Sequence, residues 1–101
     1  MITKEAVNQA IDYILQHIGE ELTLEDVAGY CHFSKYYFSR LFKEQTGESV
    51  YGFIKRVKLE QSAFRLKTEQ DRRITEIGAD YGYSSSNYSS AFRQHYRMAP
   101  I

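Results

Sequence analysis

Tyr36, Ser39, Arg40 and Lys43 stand at spacings that a helix would gather along one side, with Lys35 just ahead of them. That side would present a guanidinium fork, two ammonium groups, a hydroxyl and a phenol. Such groups make hydrogen bonds and ion pairs to a polyanion. A DNA major groove admits one α-helix, and base edges there are read by Arg, by hydroxyls and by apolar contact with the thymine methyl. On this reading the face is fit to meet base edges, while Lys43, a turn further on, is better placed to meet a phosphate. Two plainer roles compete. Arg40 can pair with Glu44 on its own helix, and Tyr36 and Tyr37 can lie half-buried on the surface of a crowded domain.

A second polar run stands fifty residues downstream: Ser85, Ser86, Asn87, Ser89 and Ser90, with Arg93 in the place of Lys43. It can hydrogen-bond but carries little charge. These serines lack the glycine-flanked elbow that exposes a nucleophilic serine, so no catalytic residue is read from them. Cys31 and His32, with His17 and His95 far away, lack the paired spacing of zinc ligands. Cys31 reads as a small turn or core residue, and neither a metal site nor a cofactor is expected.

Helices must position these side chains, and the sequence carries their punctuation twice. A shift of fifty pairs Leu24 with Ile74, Val27 with Ile77, Phe33 with Tyr83 and Ser34 with Ser84. It also pairs Phe38 with Tyr88, Ser39 with Ser89 and Phe42 with Phe92. Each copy reads as a short helix, a tight turn and a capped longer helix, which is a helix-turn-helix. In the first copy Thr23 and Asp26 form a near capping box before a helix over 24–30; Ser34 caps the next helix and Gly47 stops it. In the second, "ITEIGADY" is the short helix and Ser84 caps a helix reaching about Tyr96. Val27, Ala28, Phe38, Leu41 and Phe42 are spaced to pack between the paired helices, as are Ile77, Gly78, Tyr88, Ala91 and Phe92.

Ahead of the first copy, Ala6, Val7, Ala10, Ile11, Ile14, Leu15 and Ile18 form the stripe of an amphipathic helix, with Thr3 as its N-cap and Gly19 at its end. Between the copies Ser49 opens a long helix with Val50, Phe53, Ile54, Val57 and Phe64 on its inner side, followed by "EQDRR" as a linker. No alternating strand pattern occurs. The expectation is an all-α chain of seven helices forming two helix-turn-helix units joined by a long linking helix. It is read as a single domain over 1–101, with the first unit at 1–48, the linking helix at 49–68 and the second unit at 69–101.

The 101 residues, 43% hydrophobic and 26% charged, have the composition of one ordinary globular domain. Formal net charge is zero, unlike most DNA-binding domains, but it is segregated. Residues 1–30 carry one lysine against six carboxylates, a net of −5, and residues 31–73 carry ten Lys and Arg against five carboxylates, a net of +5. The basic middle is fit to meet an anion. No signal-peptide pattern is present, and no apolar run approaches the roughly 20 residues of a membrane span. With one cysteine, a reducing cytoplasm is the expected compartment, without membrane contact and with nucleoid association through DNA.

The segment "LEDVAGYCHFSKYYFSRLFKEQTG" resembles the first helix-turn-helix of AraC/XylS-type bacterial transcription regulators. "FIKRVKLEQSAFRLK" is similar to their linking helix, and "ITEIGADYGYSSSNYSSAFRQHYRMAP" to their second motif, so essentially the whole chain is covered. The resemblance implies seven helices and two recognition helices in successive major grooves of promoter DNA. It implies base-reading positions at Tyr36, Ser39 and Arg40, and at Ser85, Ser86, Asn87, Ser89 and Ser90. RNA polymerase becomes an expected partner, any effector is expected on a separate domain, and two units in one chain make a monomer sufficient. The chain departs from the pattern with Ser90 where Arg is frequent, Gly78 for Ala, Arg97 for Gly and Lys58 for Arg. It also ends short of the family's closing Tyr-Arg pair, and so reads as a piece of a longer regulator with the effector domain following.

A reading from another class stays open: a helical protein–protein interaction module whose zero net charge belongs to an adapter. Salt dependence separates the two, because phosphate contacts weaken steeply as salt rises.

Overall fold

Six helices make up the regular structure of the computed structural model, which describes residues 3–100, Thr3 by its backbone only. They are α1 (Thr3–Gln16), α2 (Leu24–Tyr30), α3 (Lys35–Thr46), α4 (Val50–Thr68), α5 (Ile74–Asp80) and α6 (Ser85–Tyr96). The described residues hold no strand. The all-α expectation stands, but the count is six and not seven. Each apolar stripe in the sequence accounts for one of the six, and a short helix without an apolar face to bury is not stable on its own.

The chain divides into two compact units within α4, at the Lys55–Arg56 bond. In the first, α1 packs against α2 and α3. Ala6, Ala10, Ile14, Val27, Phe38 and Phe42 are buried there, and Phe53 meets Phe42 edge-on at 5.4 Å. The Cys31 thiol is buried and donates toward the Ala6 carbonyl oxygen at 3.6 Å; burial pushes its pKa up. α1 ends at Gln16, earlier than the expected Gly19, because residues 17–20 form a turn from which Ile18 still reaches the core. The expected Thr3 cap lies outside the described side chains.

In the second unit Leu59, Tyr88, Ala91 and Phe92 form the core, with Ala63, Leu66, Ile74, Tyr83 and Tyr96 around them. Phe64, expected on the inner side of α4, is 65% exposed. The helical period explains the correction: Leu59, Ser62, Ala63 and Leu66 share the inward stripe, and Phe64 falls on the other side. The "EQDRR" segment is a short ion-paired turn. Glu69 holds Arg65 at 2.8 Å and Arg72 at 3.5 Å, and Asp80 receives Arg65 at 2.9 Å and Arg72 at 3.1 Å.

The fifty-residue repeat extends to the backbone. Burial runs in the same order through 21–46 and 71–96. Both turns use the same closure: Phe33 N–H donates to Ala28 O at 3.0 Å and His32 N–H to Gly29 O at 3.1 Å, matched by Tyr83 to Gly78 at 3.1 Å and Gly82 to Ala79 at 3.0 Å. Each copy needs two left-handed residues, one in the turn and one after the longer helix. The first copy uses His32 (φ 62°) and Gly47 (φ 82°); the second uses Gly82 (φ 86°) and Arg97 (φ 60°). Glycine, which suits this conformation, thus occupies opposite positions in the two copies.

Candidate nucleic-acid interface

α3 and α6 are started and seated alike. Ser34 Oγ accepts the Tyr37 N–H at 3.3 Å, and Ser84 Oγ accepts the Asn87 N–H at 3.3 Å. The preceding helices start differently. Thr23 and Asp26 complete a reciprocal capping box, each bond 3.1 Å, whereas Arg73 has no side-chain acceptor and only the Glu76 carboxylate returns a bond, 3.0 Å from the Arg73 N–H. Burial of Phe38, Leu41 and Phe42 fixes the rotation of α3, and burial of Tyr88, Ala91 and Phe92 fixes that of α6.

That rotation leaves Lys35, Tyr36, Arg40 and Lys43 exposed on the first unit, with Ser39 half-buried at the edge. Tyr36 is 78% exposed, so the packed-aromatic role does not describe it. Phe33 is half-buried, with its ring 5.2 Å from that of Tyr37. Arg40 makes no ion pair with Glu44 among the described residues; its guanidinium is free for an outside acceptor. Lys35 is engaged: its Nζ lies 3.3 Å from Glu25 Oε2 and 5.4 Å from the centre of the Tyr36 ring. A backbone hydrogen bond, and then Lys35, hold the Glu25 carboxyl below its ordinary range. The reading of the sequence missed Glu25. Its signal was the repeat, in which Glu25 and Lys35 become Thr75 and Ser85 together.

On the second unit Ser85, Ser86, Asn87, Ser90 and Arg93 are exposed and Ser89 is half-buried. In the same unit the Arg65–Asp80–Arg72 ion pairs tie α5 to α4 and to the turn that joins them. The hydrogen bond from Arg65, supplemented by Arg72, keeps the Asp80 carboxyl below its usual range; Arg65 does the same for Glu69. Arg65 also lies 5.7 Å from the centre of the Tyr81 ring. Two of the arginines that made the middle of the sequence basic are therefore neutralised by the second unit's own carboxylates.

A family model described as "Helix-turn-helix domain" matches residues 27–101, which include both turns and both exposed helix faces. The regulatory protein SoxS of Salmonella typhimurium is 30% identical over 101 residues, covering 99% of this chain and 94% of SoxS. The chain belongs to the AraC-type helix-turn-helix family of transcription regulators. The regulatory protein PocR of the same organism is 36% identical over 95 residues, and the chain spans 31% of its length. An AraC-type transcriptional regulator structure from Chromobacterium violaceum superposes with a TM-score of 0.88 at 26% identity, covering 96% of this chain and 87% of that one. The AraC-type domain is a DNA-binding domain of transcription regulators, and this is a family of regulators and not of enzymes. Among the described residues, no helix is long and apolar enough to cross a membrane.

Proposed function

We propose that this AraC-type chain is a single domain that reads double-stranded promoter DNA by placing α3 and α6 in successive major grooves. The helix-turn-helix units are the stretches 1–48 and 69–101, and residues 49–68 link them. Tyr36, Ser39 and Arg40 meet base edges from the first unit, and Ser85, Ser86, Asn87, Ser89 and Ser90 from the second. Lys43 and Arg93, at equivalent places later in each helix, meet phosphates, and Lys35 stands at the edge of the first contact face. The observation that supports this most is the pairing of two identically buried helix-turn-helix units with polar, outward faces on α3 and α6.

The two faces divide the work. The first carries a free arginine and lysine beside an exposed tyrosine, and the second is chiefly hydroxyls with Arg93. Charge-driven affinity therefore comes mainly from the first unit, and the second adds hydrogen bonding with little sequence-independent pull. A monomer is sufficient, RNA polymerase is the partner at the promoter, and an effector acts through a separate domain. The working compartment is the cytoplasm.

The test is a gel-shift titration of the chain against promoter fragments at two salt concentrations. Specific retardation that weakens steeply with salt supports the reading. Absence of specific retardation at low salt would leave the protein-interaction module in its place.

A further inference from the structure

Lys35 opens α3 beside Tyr36, where a phosphate-binding cation would be useful, yet its ammonium is held by a carboxylate of the same unit. The Glu25 Oε2 to Lys35 Nζ separation is 3.3 Å, and the same Nζ lies 5.4 Å from the centre of the Tyr36 ring. Glu25 thus brings a negative charge to the edge of the face proposed to meet DNA. Both partners keep access to solvent, with side chains 64% and 43% exposed, so the pair is breakable and not a buried clamp. The equivalent pair in the second unit, Thr75 and Ser85, is uncharged. Within its own unit the carboxylate also accepts a backbone hydrogen bond in the first turn of α2, a helix whose cap is completed by Thr23 and Asp26.

We infer that Glu25 sets the affinity of the first unit for nucleic acid: it competes with DNA phosphate for Lys35 and repels the backbone that α3 approaches. This rests on the DNA-reading function proposed above and adds to it a residue that weakens binding. Phosphate that recruits Lys35 shares or displaces the Glu25 contact, and the carboxylate stays close to the polyanion. The outcome is weaker, less salt-sensitive binding than the number of basic residues on α3 implies. Because the term is electrostatic, it acts on every sequence alike and leaves base preference to Tyr36, Ser39 and Arg40.

The experiment titrates the full chain, Glu25→Gln, Lys35→Ala and the double variant against a mixed-sequence DNA duplex between about 50 and 200 mM salt. Helical circular dichroism confirms that each variant is folded. Glu25→Gln is expected to tighten binding several-fold and to steepen the slope of log affinity against log salt by about 0.9, the value of one added phosphate contact. Lys35→Ala is expected to cost several-fold more in the Glu25→Gln background than in the unaltered chain. An unchanged or weakened Glu25→Gln affinity, or an equal cost of Lys35→Ala in both backgrounds, would overturn the inference while leaving DNA binding intact. If the unaltered chain binds no duplex even at low salt, the DNA reading itself falls, and this inference falls with it.

Discussion

Gly78 of α5 lies against the ring of Tyr88 of α6 so closely that a Cβ added at 78 would come within 2.6 Å of Cγ and Cδ2 and 3.0 Å of Cβ. Tyr88 is 1% exposed and fills the centre of its unit, so it has little room to retreat. The equivalent positions of the first unit are Ala28 and Phe38, both buried.

Gly78→Ala should therefore destabilise the chain although alanine is the better helix former. Overpacking typically costs about 1–3 kcal/mol, and the propensity gain returns at most about 1, leaving a net loss of up to about 2 kcal/mol. Urea denaturation of the full chain measures it. A stabilised Gly78→Ala would show that the ring can move.

Arg97 and Gly47 give a reciprocal pair. Each follows the longer helix of its helix-turn-helix unit in left-handed backbone and donates its N–H to the carbonyl four residues back, Arg97 to Arg93 at 2.7 Å and Gly47 to Lys43 at 2.9 Å. A side chain in that conformation costs about 1 kcal/mol. Thermal melts should show Arg97→Gly raising stability and Gly47→Arg lowering it, each by about that amount. Equal and negligible shifts would contradict the assignment of strain to Arg97.

The Asp80 ion pairs fix a pH dependence. The folded carboxyl titrates below its ordinary value, so the stability it supplies is present above about pH 4 and is lost as pH falls through the lowered value. Asp80→Asn should cost about 0.5–1 kcal/mol at neutral pH, a figure kept small because the side chain is 42% exposed. The difference from the unaltered chain should shrink toward zero in acid. Melting curves across that range check it, and a gap that stays constant with pH would remove Asp80 from the account.

Base reading and phosphate binding should separate on α3 and α6. Arg40→Ala is expected to cost about 1–3 kcal/mol on a preferred site and to relax preference in one half of it. Lys43→Ala and Arg93→Ala should weaken binding to all sequences alike and lower the salt slope by about 0.9 each. Competition titrations with single-base variants of the site distinguish the two classes. If relative affinities across those variants are unchanged by Arg40→Ala, its base-reading role is lost.

The helix-turn-helix cores were legible because sequence spacing alone decides them. Thr23, Ser34, Ser84 and Gly47 mark ends where a local hydrogen bond or a positive φ sets the boundary, and Val27, Phe38 and Phe42 repeat at helical spacing as Ile77, Tyr88 and Phe92. Phe64 was misread because α4 belongs to two units, and an apolar residue does not announce which stripe faces inward. The seventh expected helix had no apolar stripe of its own among the six that form. Glu25 with Lys35, and Asp80 with Arg65 and Arg72, were hidden for another reason. Ion pairs ten, fifteen and eight residues apart depend on how helices meet, and charge type along the chain does not encode that.

The most direct measurement of the central claim is selection of bound duplexes from a random DNA pool by the full chain at low salt. Two readers in one chain predict an asymmetric, two-part site whose preferred halves lie about 10–10.5 base pairs apart, centre to centre. The half that loses its preference in Arg40→Ala would mark the first unit. A folded chain that enriches no sequence, or only one uninterrupted half, would contradict the account.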